Sequence, residues 1–468
     1  MNVYLLAVGI YLIIMALVGL YVGRKSVSSS EDFIVAGRSL STLVVAGTLL
    51  STFIGSGLII GGASFIYQYG PFAAIFNLSG GIIGTIILFM LARKIRKRGS
   101  YSIPHMIESR FGKSSRLIST ILILFAYIGI TGYNFTGGAY VLQITTGLPL
   151  ETGAIIMAVL VIFLTVSGGL FSVAYTDSLS ALLIIFGFLI ALPLVLNSTG
   201  GFSGLSASLP EELLSWNGGL TVPQLIGYFL PLFLLILGDQ NMYQRFSASK
   251  SEKVAQKATI GFFFGSAAVT AMVILLATTA VVLFPNIDPD SAILKLGIDG
   301  VPVGVGVIII CASVAFLITT ATSYLLSVSG NIVYDLYNQY SKKENSDKQL
   351  LNINRITVVL IGLFAYVLAQ FFPTVLDFQM YAYTMYGATI TPVILATLLW
   401  KKATRYGVIT SMIVGGVVTI VWEMILSKPF EWNSVLIALP LSLLTLIIIS
   451  LLTKDEVALN SFTQANEA

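Results

Sequence analysis

Four hydroxyl side chains, Thr319, Thr320, Thr322 and Ser323, lie within five consecutive residues of a long apolar segment and could bind a hard cation. On an α-helix, positions i, i+3 and i+4 share one face, so Thr319, Thr322 and Ser323 direct three oxygens to one point. Thr320 is turned about 100° away toward a neighbouring point. Hard cations prefer oxygen ligands. The alternative is that each hydroxyl donates to a carbonyl of its own helix, the common fate of a lone Ser or Thr in a membrane helix.

Three carboxylates also fall within apolar segments, Asp177, Asp239 and Glu423. A charge in lipid costs at least about 2.5 to 3.5 kcal/mol, so each needs a partner. Asp239 precedes Arg245 by six residues, which favours a structural ion pair or a cytoplasmic gate. Glu423 lies near a helix end and is interpreted as structural. Asp177 has no basic neighbour in sequence, so a bound cation is its predicted partner; a protonated Asp177 is the alternative and would imply proton coupling.

The elements that position these side chains are predicted to be membrane helices. Of the 468 residues, 56% are hydrophobic and 10% are charged, and the mean hydropathy is +0.92. This composition excludes a large soluble catalytic or nucleic-acid-binding domain. One cysteine, Cys311, excludes a disulfide framework, and one histidine, His105, excludes a histidine-rich metal site. The sequence shows no nucleophile–base pair and no phosphate-binding loop, so we do not expect an enzyme.

The apolar runs predict an all-α polytopic membrane protein with about thirteen transmembrane helices, which we number span 1 to span 13. Every Lys and Arg except Lys295 and Lys428 falls on the cytoplasmic side when the N-terminus is outside and the C-terminus is inside. This orientation therefore satisfies the positive-inside rule. The approximate bounds of the spans are 3–23, 42–68, 71–92, 117–146, 152–170, 173–197, 221–244, 256–284, 302–329, 353–372, 378–400, 405–426 and 434–453.

Two spans contain residues that interrupt helices. Such clusters mark either close helix packing or a broken helix that lines a cavity. The two spans lie five helices apart, which is the spacing of a five-plus-five repeat and points to the binding site of a transporter. The residues are Ser51, Thr52, Gly55, Ser56, Gly57, Gly61 and Gly62 in span 2, and Pro223, Gly227, Pro231 and Gly238 in span 7.

The loop after span 1, Glu31-Asp32-Phe33-Ile34-Val35-Ala36-Gly37-Arg38-Ser39-Leu40, resembles the signature loop of the sodium/solute symporter family. Further landmarks of the family match in order along nearly the whole chain. They are Phe53-Ile54-Gly55, Gly168-Gly169, Tyr175-Thr176-Asp177, Asp239-Gln240, Gln244-Arg245, Thr319-Thr320, Asp335 and Pro392.

The resemblance implies a LeuT-type core in which two inverted repeats, 42–200 (spans 2 to 6) and 201–402 (spans 7 to 11), are flanked by peripheral segments 1–41 and 403–468. The function it implies is sodium-coupled symport of a small organic solute across the plasma membrane by alternating access, with two sodium ions. A proton-coupled carrier with Asp177 as the titrating group is one alternative. A non-transporting membrane sensor is another.

The resemblance also implies two sodium sites. The first uses backbone carbonyls near Val45, Thr48 and Phe316, with the hydroxyls of Thr319 and Thr320. The second uses Asp177, Thr319, Thr322 and Ser323, which agrees with the helix face argued above. Arg245 and Asp239 are interpreted as gate or structural residues.

The expected solute site is aromatic, rich in hydroxyl and amide groups, and uncharged, which favours a small neutral or zwitterionic solute or a monocarboxylate. The chain departs from the proline branch of the family at Gly47, where that branch has an acid, and at Leu232, where it has a Trp; the span 4 arginine of sialic acid transporters has no counterpart. The partners expected are the solute and the lipid bilayer, without nucleic acid, and one copy should suffice. The wall comprises Ser51, Thr52, Ser56, Asn77, Tyr133, Asn134, Phe229, Phe233, Tyr381, Tyr383 and Tyr386.

Overall fold

The structure is a computed structural model that describes residues 3–26, 35–341, 346–372 and 374–467. Glu31, Asp32, Phe33 and Ile34 of the signature loop, together with Lys342 and Lys343, lie outside the described residues. The described chain is helical and has no strand; an isolated bridge joins Leu40 to Ser249. The α-helices are Val3–Ser26, Thr42–Phe53, Ala63–Arg98, Ile103–Phe111, Lys113–Thr146, Leu150–Ser198, Gly201–Ser208, Val222–Gly238, Gln240–Ala248, Glu252–Leu283, Ala292–Asp299, Val303–Gly330, Asn338–Tyr340, Asp347–Ala369, Val375–Leu399, Arg405–Ile420, Val435–Leu452 and Glu456–Glu467.

Helices occupy all thirteen predicted segments, so the all-α membrane architecture is confirmed. Among the described residues, ten helices are long and apolar enough to cross a membrane. Val3–Val18, Thr42–Phe53 and Leu150–Val166 are shorter apolar helices. The number of helices that cross the bilayer and the orientation of the termini stay predictions.

Two continuous helical runs each join two predicted spans: Ala63–Arg98 joins the end of span 2 to span 3, and Leu150–Ser198 joins spans 5 and 6. Ala63–Arg98 changes direction at Gly70 (φ 85°, ψ 169°), and Leu150–Ser198 does so at Gly169 (φ 63°, ψ 177°). Positive φ is cheap only for glycine, so each glycine supplies the turn between two consecutive spans. The predicted boundaries between spans 2 and 3 and between spans 5 and 6 therefore coincide with these turns.

Span 2 is broken, as the sequence predicts. Its α-helix ends at Phe53, and after Ile54 (ψ 28°) the chain continues as a π-helix, Gly57–Gly62. Single π-turns of this kind often lie at functional sites. Other π-turns are Asn331–Tyr337 and Val421–Ile425.

Span 7 is broken at one point only. The helix runs from Val222 through Pro231 to Gly238, and Asp239 (φ −63°, ψ 119°) leaves the helical conformation before Gln240–Ala248 begins. Of the four residues that the sequence singles out in span 7, Gly238 therefore marks the break. The Oγ1 of Thr391 donates to the carbonyl of Leu234 at 2.7 Å, which ties span 11 to the last turn before it.

Candidate functional site

The hydroxyl run of span 9 faces the break in span 2. Thr320 Oγ1 donates to the carbonyl oxygen of Ser51 at 3.4 Å. A Cβ built at Gly55 would lie 2.8 Å from the Thr320 side chain, so the two helices are in close contact here. The helix of span 2 ends at Phe53, so the carbonyls of its last turn have no amide four residues later in the same helix to accept from. The Ser51 carbonyl is one of these carbonyls. A carbonyl without a partner in its own helix thus lies against a buried hydroxyl.

The other residues of the predicted first sodium site are placed around this contact. Val45 and Thr48 lie inside the regular helix Thr42–Phe53, where backbone carbonyls accept from the amide four residues on. Phe316 is fully buried, and its carbonyl accepts a hydrogen bond from Thr319 Oγ1 at 3.3 Å. Among the carbonyls freed by the break, the one that contacts the hydroxyl run is that of Ser51, a residue that sequence reasoning assigned to the solute site.

Asp177 and Arg245 form an ion pair that is completely buried. Arg245 Nη2 lies 3.2 Å from Asp177 Oδ2, and both side chains have 0% exposure. The same oxygen accepts from Thr48 Oγ1 at 2.7 Å, and that hydroxyl accepts from Arg245 Nε at 2.9 Å. Arg245 Nη2 also donates to Ser323 Oγ at 3.0 Å. The network thereby links spans 2, 6, 7 and 9.

This pair corrects one prediction. The sequence favours an ion pair of Arg245 with Asp239 or a cytoplasmic gate; the ion pair is wrong, because Arg245 pairs with Asp177. Asp177, which has no basic neighbour in sequence, thus has a basic partner in the fold. The ion-pair prediction rested on the separation of Asp239 and Arg245 by only six residues along the chain. The extended backbone at Asp239 starts a new helix, Gln240–Ala248, and this helix carries Arg245 into the bundle.

Asp239 has a different set of partners. Tyr127 donates to its Oδ1, Tyr324 donates to its Oδ2 at 2.7 Å, and the amide of Asn241 donates to Oδ1 at 2.9 Å. Tyr386 bridges the same break, donating to the Gly238 carbonyl at 2.8 Å and accepting from the Gln240 amide at 3.1 Å. Spans 4, 9 and 11 therefore hold the break of span 7 in place.

The predicted second sodium site contains one unsatisfied oxygen. Asp177 Oδ1 accepts no hydrogen bond from any described residue, although it is buried. Thr319, Thr322 and Ser323 are each at most 7% exposed, and Thr322 Oγ1 donates to the Thr319 carbonyl at 3.0 Å. Each hydroxyl keeps lone pairs for an ion even while it donates. Arg245 reaches both Asp177 and Ser323 from one side of this group.

The predicted solute residues divide into two groups, the first of which surrounds a small cavity. Tyr383 lines the cavity and its hydroxyl lies 3.1 Å from that of Tyr133. Asn134 Oδ1 accepts from the Ser56 hydroxyl at 3.0 Å and from the Ser56 amide at 3.2 Å. The cavity measures about 10 Å³ and is lined by Phe53, Gly57, Leu58, Leu78, Leu232, Gln379 and Tyr383. It holds about one water at most, so the site is closed around the break.

Gln379 is the cavity residue that sequence reasoning missed. Its side chain is 4% exposed, and its Oε1 has no hydrogen-bond partner among the described residues. Asn77 Oδ1, buried next to Leu78, is likewise unsatisfied in the described structure. Gln379 is a polar residue at the start of the apolar span 11, and this feature of the sequence could have identified it as a candidate for the solute site. Buried amides without partners are the groups that a polar solute would satisfy.

The second group of predicted solute residues has partners elsewhere. Phe229 and Phe233 stack on each other and are half-buried; Phe229 also meets the exposed Phe76. Tyr381 lies against Phe372, with ring centroids 5.4 Å apart. The remaining members, Ser51, Thr52 and Tyr386, donate to backbone carbonyls, of Asp177, Thr48 and Gly238 respectively.

A substitution at Gly57 tests whether this closed cavity matters for transport. A Cβ at Gly57 would overlap the Tyr383 hydroxyl and meet Gln379 Nε2 at 3.0 Å. We expect Gly57→Ala to cost about 1 to 3 kcal/mol through overpacking and to reduce solute uptake at least tenfold. Gly330→Ala is the control, because nothing lies within 4 Å of a Cβ there. Uptake into vesicles and thermal unfolding are the measurements; equal uptake by both variants contradicts the assignment.

The two ends of the bundle near the site are held by ion pairs. At the predicted outer end, Lys428 lies 3.0 Å from Asp377 and 3.6 Å from Glu423, so Glu423 has the structural partner that its interpretation required. Burial opposes the charge, but the carboxylates of Glu423 and Asp377 raise the pKa of Lys428 overall. At the predicted inner end, Arg116 Nη2 lies 2.6 Å from Asp335, whose carboxylate is fully buried.

Comparison with known proteins identifies the family. The model of the sodium:solute symporter family matches residues 33–415. The chain belongs to this family. It is a multi-pass transporter of the cell membrane that couples solute movement to sodium, and it is not an enzyme.

Relatives match almost the full length. The high-affinity proline transporter PutP of Bacillus subtilis is 29% identical over 461 residues, which cover 94% of this chain and 96% of the relative. The sodium/proline symporter of Escherichia coli is 25% identical over 453 residues, which cover 90% of this chain and 87% of the relative.

Solved structures show the LeuT-type fold. The substrate-bound, outward-open structure of a Na⁺-coupled sialic acid symporter has a TM-score of 0.82 at 16% identity, covering 96% of this chain and 98% of that chain. Mhp1, a nucleobase-cation-symport-1 family transporter, has a TM-score of 0.60 at 14% identity, covering 92% of this chain and 98% of that chain. The predicted fold class is thereby confirmed.

Proposed function

We propose that a sodium ion bound between the break of span 2 and the hydroxyl run of span 9 drives uptake of a small solute by alternating access. The observation that carries this proposal is the contact between Thr320 Oγ1 and the freed Ser51 carbonyl. An ion there draws together two helices that belong to different halves of the proposed repeat, 42–200 and 201–402. Binding energy of the ion then favours one conformation over another.

The solute site adjoins the ion site through the segment from Gly55, which lies against Thr320, to Gly57, which lines the cavity. Gly57, at the cavity, follows Ser56, whose amide and hydroxyl both contact Asn134. The cavity in this conformation is far too small for an organic solute, so the site must widen before the solute enters. We infer that span 2 moves relative to Tyr383 and Gln379 in that step.

A second sodium ion fits the unsatisfied oxygen of Asp177. Asp177 Oδ1 and the hydroxyls of Thr319, Thr322 and Ser323 are oxygen ligands of the type that sodium needs. At 100 mV each charge contributes about 2.3 kcal/mol, so two ions give about 4.6 kcal/mol. Since 1.4 kcal/mol is tenfold, two ions support accumulation of about a thousandfold and one ion about fiftyfold.

Asp239 and Arg245 are proposed to hold the inner part of this site closed. Arg245 joins the pair with Asp177, and Asp239 is held by Tyr127 and Tyr324. Both residues flank the break in span 7, so a movement of Gln240–Ala248 would disturb all of these contacts together. Release of the ion toward the inside requires such a movement.

Proline is the first solute to test, because the relatives named above carry it. The uncharged wall suits a zwitterion whose two charges cancel. However, Leu232 lines the cavity where the resemblance expects a Trp, and a Cβ at Gly47 would lie 2.7 Å from Ser178 Oγ, so an acid there would require Ser178 to move. Other neutral amino acids and small monocarboxylates therefore belong in the same screen.

A thermal-shift screen of the purified chain tests the solute and its coupling together. A true substrate stabilises the folded state by mass action, and the shift should be larger when sodium is present. We expect proline, or another member of the screen, to raise the unfolding temperature in sodium and to do so less in potassium. The same shift in both salts would contradict sodium coupling.

The alternative mechanism is proton coupling through Asp177, which uptake in sodium-free buffer can test. Arg245 balances the charge of Asp177, so a proton is not needed to neutralise it. We expect no uptake in sodium-free buffer when a pH gradient alone is imposed. Uptake under that gradient would show that the coupling ion is the proton and not sodium.

A further inference from the structure

A basic pocket lies at the predicted inner end of spans 11, 12 and 13, far along the chain from the residues of the ion site. It is formed by the turn before span 12, the end of span 13 and the start of the C-terminal helix Glu456–Glu467. We call it the inner lysine pocket; the residues that matter here are Lys401, Lys402, Thr404, Thr453, Lys454 and Leu459. Its volume is about 390 Å³, which is within the range of sites that bind small organic ligands.

The pocket contains three lysines that have no salt-bridge partner among the described residues. Lys401, Lys402 and Lys454 are exposed, and none of them forms a salt bridge within the described part of the chain. Two acids also line the pocket: Glu456 is exposed, and Asp455 accepts from the amides of Arg405 at 2.9 Å and Ala458 at 3.0 Å, so three lysines against two acids leave a net charge of +1. Three ammonium groups that share one pocket repel one another, and an anion between them would relieve that repulsion.

Hydroxyl groups at the base of the pocket bond to one another and to the backbone, Thr453 Oγ1 donating to the Ile449 carbonyl at 2.6 Å. Thr404 Oγ1 and Thr453 Oγ1 lie 2.7 Å apart. Ser450 Oγ accepts from the Thr404 amide at 3.2 Å, so the turn before span 12 is fixed to the end of span 13. The pocket thus has a polar base fixed by hydrogen bonds, and its exposed lysine ammonium groups can donate to phosphate oxygens.

Next to the pocket lies an apolar, exposed surface at the end of span 13. Leu451 lines the pocket and is 60% exposed, and next to it Leu452 is 78% exposed. Tyr406, one residue after Arg405, is also 60% exposed. Inorganic phosphate would leave this surface bare, whereas a phospholipid would cover it with acyl chain. The combination therefore favours a lipid over a free anion.

We propose that the inner lysine pocket binds the headgroup phosphate of an anionic glycerophospholipid, with the acyl chains lying along Leu451 and Leu452. Clusters of basic residues beside membrane helices are a recurrent way to hold such headgroups. The bound lipid also braces the C-terminal helix Glu456–Glu467, whose Phe462 ring lies 4.5 Å from the guanidinium of Arg110. Arg110 in turn donates to carbonyls at the end of span 11, including Ala396 at 2.8 Å.

The test compares two triple variants of the purified full-length chain in neutral detergent. Lys401→Gln, Lys402→Gln and Lys454→Gln together remove the positive charges of the pocket. Lys250→Gln, Lys253→Gln and Lys257→Gln remove the same charge from an exposed segment of the predicted inner face and serve as the matched control. Native mass spectrometry and thermal unfolding are measured with phosphatidylglycerol, phosphatidylcholine and inorganic phosphate.

Phosphatidylglycerol should bind and stabilise the unmodified chain and the control, and phosphatidylcholine should not. At about 1 kcal/mol per lysine, the pocket variant should bind phosphatidylglycerol about a hundredfold more weakly. Equal binding by the two triple variants would overturn the proposal, and so would an equal shift with inorganic phosphate alone. If the triple variant fails to fold, Lys454→Gln alone should weaken binding about fivefold, and unchanged binding would overturn the proposal.

Discussion

Thr320→Ala should reduce sodium-dependent uptake at least tenfold while the protein still folds. The substitution removes the one side-chain oxygen of span 9 that contacts the freed carbonyl of Ser51. A hydrogen bond or ligand contact to a charged group is worth about 1.5 to 3 kcal/mol, which corresponds to about ten- to a hundredfold in ion affinity. Thr319→Ala should act in the same direction, because Thr319 belongs to both proposed sites. The measurement is initial uptake rate against sodium concentration.

Two further variants separate the oxygen from the packing around it. Thr320→Ser keeps the hydroxyl and should keep most of the uptake, although it loses the methyl group that lies 2.8 Å from a Cβ position at Gly55. Thr278→Ala removes an equally buried hydroxyl that donates to its own helix, to the Ile274 carbonyl at 2.6 Å. It should leave the sodium dependence unchanged. Normal sodium affinity in Thr320→Ala would remove the basis of the first ion site.

Asp177→Asn should destabilise the protein strongly, by about 3 to 5 kcal/mol, because it leaves the guanidinium of Arg245 buried without its counter-ion. The effect should appear as a lower unfolding temperature of the purified variant in detergent. If Asp177 also binds the second ion, the Hill coefficient for sodium should fall from about two toward one, since it cannot exceed the number of sites.

The double variant Asp177→Asn with Arg245→Gln distinguishes these two roles. Both charges are removed together, so no uncompensated charge stays buried and most of the lost stability should return. The Hill coefficient should nevertheless remain near one, because the carboxylate ligand is still absent. A stable double variant with an unchanged Hill coefficient would show that Asp177 serves only the ion pair.

The pattern of apolar runs was sufficient for much of the fold. A membrane span must satisfy its backbone internally, so a long apolar run predicts a helix with few alternatives. The turns at Gly70 and Gly169 fall where two runs meet, and the break in span 2 falls in its cluster of Gly and Ser. These features depend on local sequence, which is why they could be predicted from it.

The pairing of buried charges could not be predicted in the same way. Arg245 is 68 residues from Asp177 and six from Asp239, yet it pairs with the distant carboxylate. One extended residue at the break of span 7 redirects the following helix, and a small change in backbone direction moves a long side chain by many ångströms. The partners of Asp239, Tyr127 and Tyr324, come from two other spans for the same reason.

The predicted solute wall was likewise only partly predictable from the sequence. Sequence reasoning placed Tyr383, Tyr133 and Ser56 near one another, and they do surround or adjoin the cavity. It also selected Phe229 and Phe233, which stack on the side of the bundle nearer Phe76, and it overlooked Gln379. Residue type indicates that a side chain can line a site, but the rotation of its helix decides whether it does.

By itself, the sequence determined that this is a helical membrane transporter of the sodium:solute symporter family, that spans 2 and 7 are broken, and that span 9 carries a run of four hydroxyl side chains on which the proposed ion sites rest. These conclusions rest on hydropathy, helical periodicity and local motifs. The tertiary structure alone decided that Arg245 neutralises Asp177, that the freed carbonyl of Ser51 contacts Thr320 and that Gln379 reaches the cavity. Each of those depends on how separate helices approach and rotate, and contacts between distant segments leave no local pattern in a single chain.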